Sequence, residues 1–308
     1  LISRYDDVLA DILKRPGYRA GYTLKLIAPF LKAYGVTNKK VGEYSARNVL
    51  LIRGAKETLR WIREAVPSFI VSTSYEQYIS PLCALIDFPI ENVYCTRFDL
   101  DKYPMDRTEG ERLRQLEEEV SALPMIEIPE KARSMDQFSD RSRETFGTLD
   151  RIFWEEIPSM AIGGVLEEVR PIGGEEKAEA VREIVKRVDC ELFEVMYVGD
   201  SITDVQAFQL VRGGGGLTVS FNGNEYAVRN AEVAVLSDSA FVTAVLANVF
   251  SRFGRYAVLR LVEEWCYPAL RRYCSYEMLM EEVSKWYPAL LPKVELVTGR
   301  NLDRLVEE

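Results

Sequence analysis

The sequence contains no histidine. That absence removes Ser-His-Asp and Cys-His arrangements, imidazole-ligated zinc, and any proton relay built on an unperturbed imidazole. Acid, base or nucleophile chemistry then falls to carboxylates, Lys, Tyr, Ser or Cys. Cysteine is scarce as well. Cys83, Cys95, Cys190, Cys266 and Cys274 are odd in number and form no Cys-x-x-Cys, so neither a disulfide framework nor a zinc knuckle is expected. No apolar run reaches the roughly 18 residues of a membrane span, and no signal-peptide pattern opens the sequence. Basic residues are outnumbered, 39 against 48 acidic ones, for a net charge of −9. This argues against a broad nucleic-acid footprint or an anionic membrane surface. A metal ion or a few local cations can still bring an anionic small substrate into one cleft. The expected location is the cytoplasm.

What is present suits a large folded core. Of 308 residues, 47% are hydrophobic and 28% charged, enough for one large domain or a core with an inserted cap. Residues 1–52 read as a helical cap region, with Val8, Leu9, Ile12 and Leu13 on one face, and Leu24, Ile27, Phe30 and Leu31 on another. Arg53-Gly54-Ala55 opens an amphipathic helix through Leu59, Ile62 and Val66, closed by Pro67. Ser68 to Ser72 reads as a buried strand, followed by a helix over 76–86. Residues 100–164 are polar and punctuated by Pro104, Pro124, Pro129 and Pro158, and read as an insertion with a charged helix around 111–120. Gly173-Gly174 starts a helix to about Val188. Strands are expected over 192–198, 217–221 and 233–236, with a helix over 203–212. Short apolar strands alternating with helices indicate an α/β fold with a parallel sheet, its core made of residues 53–99 and 165–240. Residues 241–308 read as a helical, aromatic C-terminal extension. It holds a short echo, Trp265-Cys266-Tyr267-Pro268-Ala269-Leu270 against Trp286-Tyr287-Pro288-Ala289-Leu290.

Three places stand out chemically. In Gly199-Asp200-Ser201-Ile202-Thr203-Asp204, Asp200 ends a strand and Asp204 follows in the first helical turn. Both carboxylates then lie near the crevice beyond the carboxyl ends of the strands, and hard oxygen donors there suit Mg²⁺. The same residues also suit plain helix capping. Lys177 falls in the first turn of its helix, against the helix dipole, which a role in holding an anion would offset; a solvated lysine between glutamates is the alternative. Ser72 and Thr73 place hydroxyls at a strand end, where they either donate to a phosphoryl oxygen or satisfy local backbone. Asn222 and Asn224 lie at another strand end, as substrate contacts or as turn residues around Gly223. Gly213 to Gly216 precedes a strand rather than a helix, so it reads as a helix stop and flexible turn rather than a phosphate loop.

In this order the pieces resemble the haloacid dehalogenase (HAD) superfamily of phosphotransferases, over roughly residues 54–236. Gly54-Ala55-Lys56-Glu57-Thr58-Leu59 is similar to the helix before the family's second motif. Ser72 matches that motif's hydroxyl, Lys177 the basic third motif, and Gly199-Asp200 with Asp204 the acidic fourth. Phe221-Asn222-Gly223-Asn224, with Ala231-Glu232-Val233-Ala234-Val235, resembles the closing segment of phosphoserine-phosphatase-like members. The whole is also similar to an archaeal branch, some members of which are labelled as a subunit of an energy-converting hydrogenase. The resemblance implies a HAD-like Rossmannoid sheet with a helical cap insertion. It further implies Mg²⁺ held by Asp200 and the nucleophile with Asp204 supporting the metal site, Lys177 and Ser72 as catalytic groups on nucleophile and phosphate, and Thr73 and Asn222 as substrate contacts. A small phosphorylated metabolite is the implied substrate.

One part of the pattern is missing. The family's nucleophile is the first Asp of an Asp-x-Asp on the central strand, ahead of the cap. Asp6-Asp7 does not follow a buried strand. Phe98-Asp99-Leu100-Asp101 comes after the second motif, where related phosphatases carry a β-hairpin, and is read as a decoy. In the family's sheet the missing strand lies between the strands of Ser72 and Asp200. Its loss would leave unpaired backbone and an apolar seam. The sequence also begins with Leu1 rather than Met. The expectation is therefore ~20–40 further N-terminal residues carrying that strand and the nucleophile. The alternative is a non-catalytic member of the fold, acting as a subunit or regulatory partner, with the C-terminal helices as its protein-binding surface. An inactive truncated product is a third reading.

Overall fold

Capping and periodicity set the elements in a computed structural model that describes residues 1–274 and 276–308. Helices α1 (Ile2–Asp7), α2 (Thr23–Ala33), α3 (Asn38–Asn48) and α4 (Ala55–Ala65) precede strand β1 (Ile70–Tyr75). Helix α5 (Glu76–Ile86), strand β2 (Val93–Thr96) and helices α6 (Arg107–Ala122), α7 (Asp140–Arg151) and α8 (Gly164–Glu168) follow. Then come α9 (Glu175–Val188), β3 (Met196–Gly199), α10 (Val205–Gly213), β4 (Leu217–Phe221), α11 (Glu225–Asn230) and β5 (Val233–Leu236). The tail holds α12 (Phe241–Glu263), α13 (Tyr267–Tyr273), α14 (Glu277–Trp286), β6 (Lys293–Leu296) and α15 (Leu302–Glu307). The chain is an α/β protein. Among the described residues, no helix is long and apolar enough to cross a membrane.

The elements divide into two compact units, and β1 and β2 each run from one into the other. The first unit comprises residues 1–48, 72–82 and 95–173. The two stretches read separately from sequence, the cap region and the 100–164 insertion, thus contribute to one unit. Its core gathers Tyr5, Leu9, Leu26, Leu113, Leu116, Leu149 and Phe153. In α6, Leu113, Leu116 and Val120 recur at helical spacing and are buried, and the helix is started by Asp106 accepting the Glu109 amide at 2.8 Å. Asp99 caps the turn after β2, accepting the amides of Asp101 and Lys102 and, at 2.6 Å, the Asn38 side chain. The Asn38 bond is the main cause of its lowered pKa. The Asp99-x-Asp101 pair is therefore a capping device, and the described residues form no hairpin there.

The second unit comprises residues 49–71, 83–94 and 174–308. Its sheet has the order β3-β4-β5-β6; the first three strands are parallel and β6 is antiparallel to β5. Strand β6, Lys293-Val294-Glu295-Leu296, alternates charge with apolar residues and so escaped the apolar-run criterion. Strand β4 is central and buried, with Leu217 and Val219 fully covered. Strand β3 is different. It lies at the end of the sheet, and Val198 in it is 36% exposed. Strand β1, expected to be buried, is only half-buried along Ile70 and Val71. Among the described residues it pairs with β2 alone, and a two-stranded sheet leaves each strand one open edge.

The tail is part of this core. Val245, Leu246, Val249, Val258 and Leu261 of α12 are buried with Trp61 of α4, whose ring stacks on Phe241 at 5.7 Å. The two echoed aromatic segments also tie the unit together: Trp265 donates to the Pro292 carbonyl (2.8 Å) and Tyr287 to Asp238 (2.7 Å).

The glycine run has a packing role that the sequence did not reveal. Gly215 adopts φ +85°, a left-handed conformation, while a Cβ on Gly216 would meet Val211 Cγ1 and the Val195 carbonyl at 2.6 Å. The run is a close-approach site between α10 and the turn before β3. Gly216→Ala is expected to destabilise the protein by about 1–3 kcal/mol through overpacking, read as a lowered midpoint in urea. An unchanged midpoint would contradict this packing.

Candidate functional site

The carboxyl end of β3 carries the site. Tyr197, on the strand, points its hydroxyl at Asp204 in the turn (Ile202–Asp204) that enters α10. Lys177 reaches the same carboxylate from the first turn of α9. Asp204 is therefore a hub. Its Oδ1 accepts from Lys177 Nζ at 2.8 Å and from Tyr197 OH at 2.7 Å. Its Oδ2 accepts from the amides of Asp200 and Ser201, both at 3.1 Å, and from Ser201 Oγ at 3.3 Å. The capping reading of Asp204 and its ion-pair reading hold together, one on each oxygen.

Burial decides how much this matters. Lys177 is 6% exposed, Asp204 2% and Tyr197 8%. Lys177 is thus not the solvated lysine that its glutamate neighbours suggest. Burial alone would raise the Asp204 pKa, but the Lys177 charge and the bonds from Lys177, Tyr197 and the Asp200 amide outweigh it and hold the group below its ordinary value. The Tyr197 hydroxyl is pushed well above its ordinary value, by burial first and then by the Asp204 charge. Gly199 makes room for the hub, because a Cβ there would lie 2.5 Å from Asp204 Cγ.

Asp200 is placed differently. Its amide is held by Asp204, and its carbonyl accepts the Asn224 amide at 2.9 Å, so its backbone is fixed on both sides. Its side chain is exposed. Desolvation by partial burial, then the Asp204 charge, raises its pKa, and Lys177 opposes the rise.

The other sequence candidates are Asn222, Ser72 and Thr73. The side chain of Asn222, at φ +47°, clamps the end of β4 to the segment after β5. It donates to the Ser237 carbonyl (2.8 Å) and accepts the Ser237 amide (2.9 Å), which occupies its amide group locally. Ser72 and Thr73 belong to the other unit. The Ser72 hydroxyl accepts the Ser74 amide at 3.2 Å, which leaves its proton unused by that bond. The Thr73 carbonyl accepts the Thr96 hydroxyl at 2.6 Å. Tyr197 was missed. Its signal was a phenol inside an apolar strand, since a buried tyrosine hydroxyl needs a partner.

The donor set fits Mg²⁺ in one way only. Among the described residues, no group of three or more Cys, Asp or Glu side chains could enclose an ion. Mg²⁺ is commonly bound by one or two carboxylates, with water and phosphate oxygens completing its shell. Asp200 fits as the direct carboxylate. Asp204 does not, because both its oxygens are engaged by the chain; it fits as support behind Asp200.

No protein-family model matches the sequence, and no curated protein is significantly similar to it. Among solved structures, the chain is similar to the gene product AF1437 of Archaeoglobus fulgidus. The identity is 26% and the TM-score 0.76, over 99% of this chain and 83% of that one. The α/β architecture is therefore shared along nearly the whole chain.

Proposed function

We propose that the protein is a Mg²⁺-dependent phosphohydrolase of the HAD type, acting on a small phosphorylated metabolite through an aspartyl-phosphate. The observation that carries this reading is the buried Lys177–Asp204 pair beside the exposed Asp200 carboxylate, at the carboxyl end of a parallel strand. A buried lysine with one Nζ–H on Asp204 keeps two donors for an anion. In this reading Lys177 binds the phosphoryl group and Asp200 holds Mg²⁺. Bound Mg²⁺ would neutralise charge on the phosphoryl oxygens.

The reading also needs a nucleophilic carboxylate. We place it beside the outer edge of β3, where among the described residues no strand pairs and backbone groups stay open. The test is phosphate release from a panel of phosphorylated metabolites and a generic aryl phosphate, with Mg²⁺ and with EDTA. The protein is expected to turn over at least one of them with Mg²⁺ and none with EDTA, and release that is equal with and without EDTA, or absent with Mg²⁺, would refute the reading.

A further inference from the structure

Tyr197 has no part in the reading above, yet it shares Asp204 Oδ1 with the lysine that faces the anion. The shared oxygen is the key feature. Asp204 Oδ2 is fixed by backbone amides of the turn, so the carboxylate plane is set from that side. On the Oδ1 side the two donors differ in stiffness. Lys177 hangs on a four-carbon stem, whereas Tyr197 is a rigid ring carried by strand β3. The rigid donor holds the oxygen where the flexible one finds it. The hydroxyl also takes up part of the oxygen's hydrogen-bonding capacity, so the ammonium is not drawn wholly onto Asp204.

We infer that Tyr197 is a positioning residue that keeps Lys177 directed at the anion by fixing the carboxylate oxygen both side chains share. Removing the hydroxyl leaves a buried lone pair that only Lys177 can satisfy. The ammonium then settles deeper against Asp204, and its remaining donors lose their aim. The inference rests on the phosphohydrolase reading only for the identity of the anion.

Two variants separate positioning from packing. Tyr197→Phe keeps the ring and deletes the hydroxyl; Phe208→Leu changes the packing beside the ring, whose centroid lies 5.4 Å from that of Phe208, and keeps both the hydroxyl and the strand that carries it. The first readout is the Lys177 ammonium resonance and its proton exchange, by NMR on ¹⁵N-lysine protein. Tyr197→Phe is expected to shift the resonance and speed exchange, while Phe208→Leu leaves both near wild type. The second readout is titration with inorganic phosphate in the presence of Mg²⁺, where Tyr197→Phe is expected to bind about tenfold more weakly. An unchanged ammonium signal in Tyr197→Phe overturns the inference, and so does an equal effect of Phe208→Leu on both readouts. If the wild-type protein binds no phosphate, the phosphohydrolase reading fails, while the ammonium signal still decides the role of Tyr197.

Discussion

Replacing Lys177 with Met is expected to lower folding stability by about 3–5 kcal/mol, because it strands a buried carboxylate whose charge loses its partner. The pair is covered on both sides, with side-chain exposures of 7% for Lys177 and 3% for Asp204, so solvent does not screen it. Attraction alone does not explain the size of the effect. Two charges taken out of water cost more than a surface pair, and the structure recovers that cost through the bonds from Tyr197, Ser201 and the Asp200 amide. Deleting one partner removes the recovery and leaves the cost. Urea unfolding at neutral pH measures it, and a loss below about 1 kcal/mol would mean that the pair behaves like an exposed one.

The pH dependence follows with a definite sign. The Asp204 carboxyl is held below its ordinary value of 3.8 in the folded chain. Its contribution is therefore complete above the unfolded value and is lost as pH falls through the lower folded one. The stability gap between wild type and Asp204→Asn should thus be widest near neutrality and close in acid below 3.8. A gap that widened on acidification would reverse the assignment.

The second large effect is on activity rather than folding. Asp200→Asn is expected to reduce phosphate release at least about a hundredfold, since it removes the carboxylate that the proposed function assigns to Mg²⁺. Its stability should hold or rise slightly. The pKa of Asp200 is raised by desolvation and by Asp204, so the folded chain already disfavours its charge. A neutral amide of the same shape relieves that. Loss of activity with retained stability marks a functional carboxylate, whereas loss of both would make Asp200 structural. Lys177→Met should differ by losing both.

Much of this was legible in the sequence, for reasons that differ by element. Strands β4 and β5 follow their apolar runs over 217–221 and 233–236, and α5 its periodicity over 76–86, because burial there is nearly complete or strictly one-sided. Asp200 and Asp204 were singled out by their spacing at a strand end, and Lys177 by its place in a first helical turn. The resemblance implied Asp200 on the metal with Asp204 in support. That Lys177 and Tyr197 both reach Asp204 was not legible, because Lys177 and Asp204 are 27 residues apart. The partner of the Asn222 side chain, Ser237, was not legible either, because it lies in the segment after β5. The role of Gly216 was hidden for a similar reason, because only the fold shows what a Cβ would strike.

The central claim is that the Asp200–Asp204–Lys177 edge of β3 serves Mg²⁺-dependent phosphoryl chemistry. The most direct measurement is the rate of phosphate release from a generic aryl phosphate as Mg²⁺ is titrated, for the protein and its Asp200→Asn variant. The account predicts a saturable rise with Mg²⁺ in the wild type and a nearly flat response in the variant. Equal Mg²⁺-dependent rates in the two proteins, or no release from either at any Mg²⁺ concentration, would contradict it.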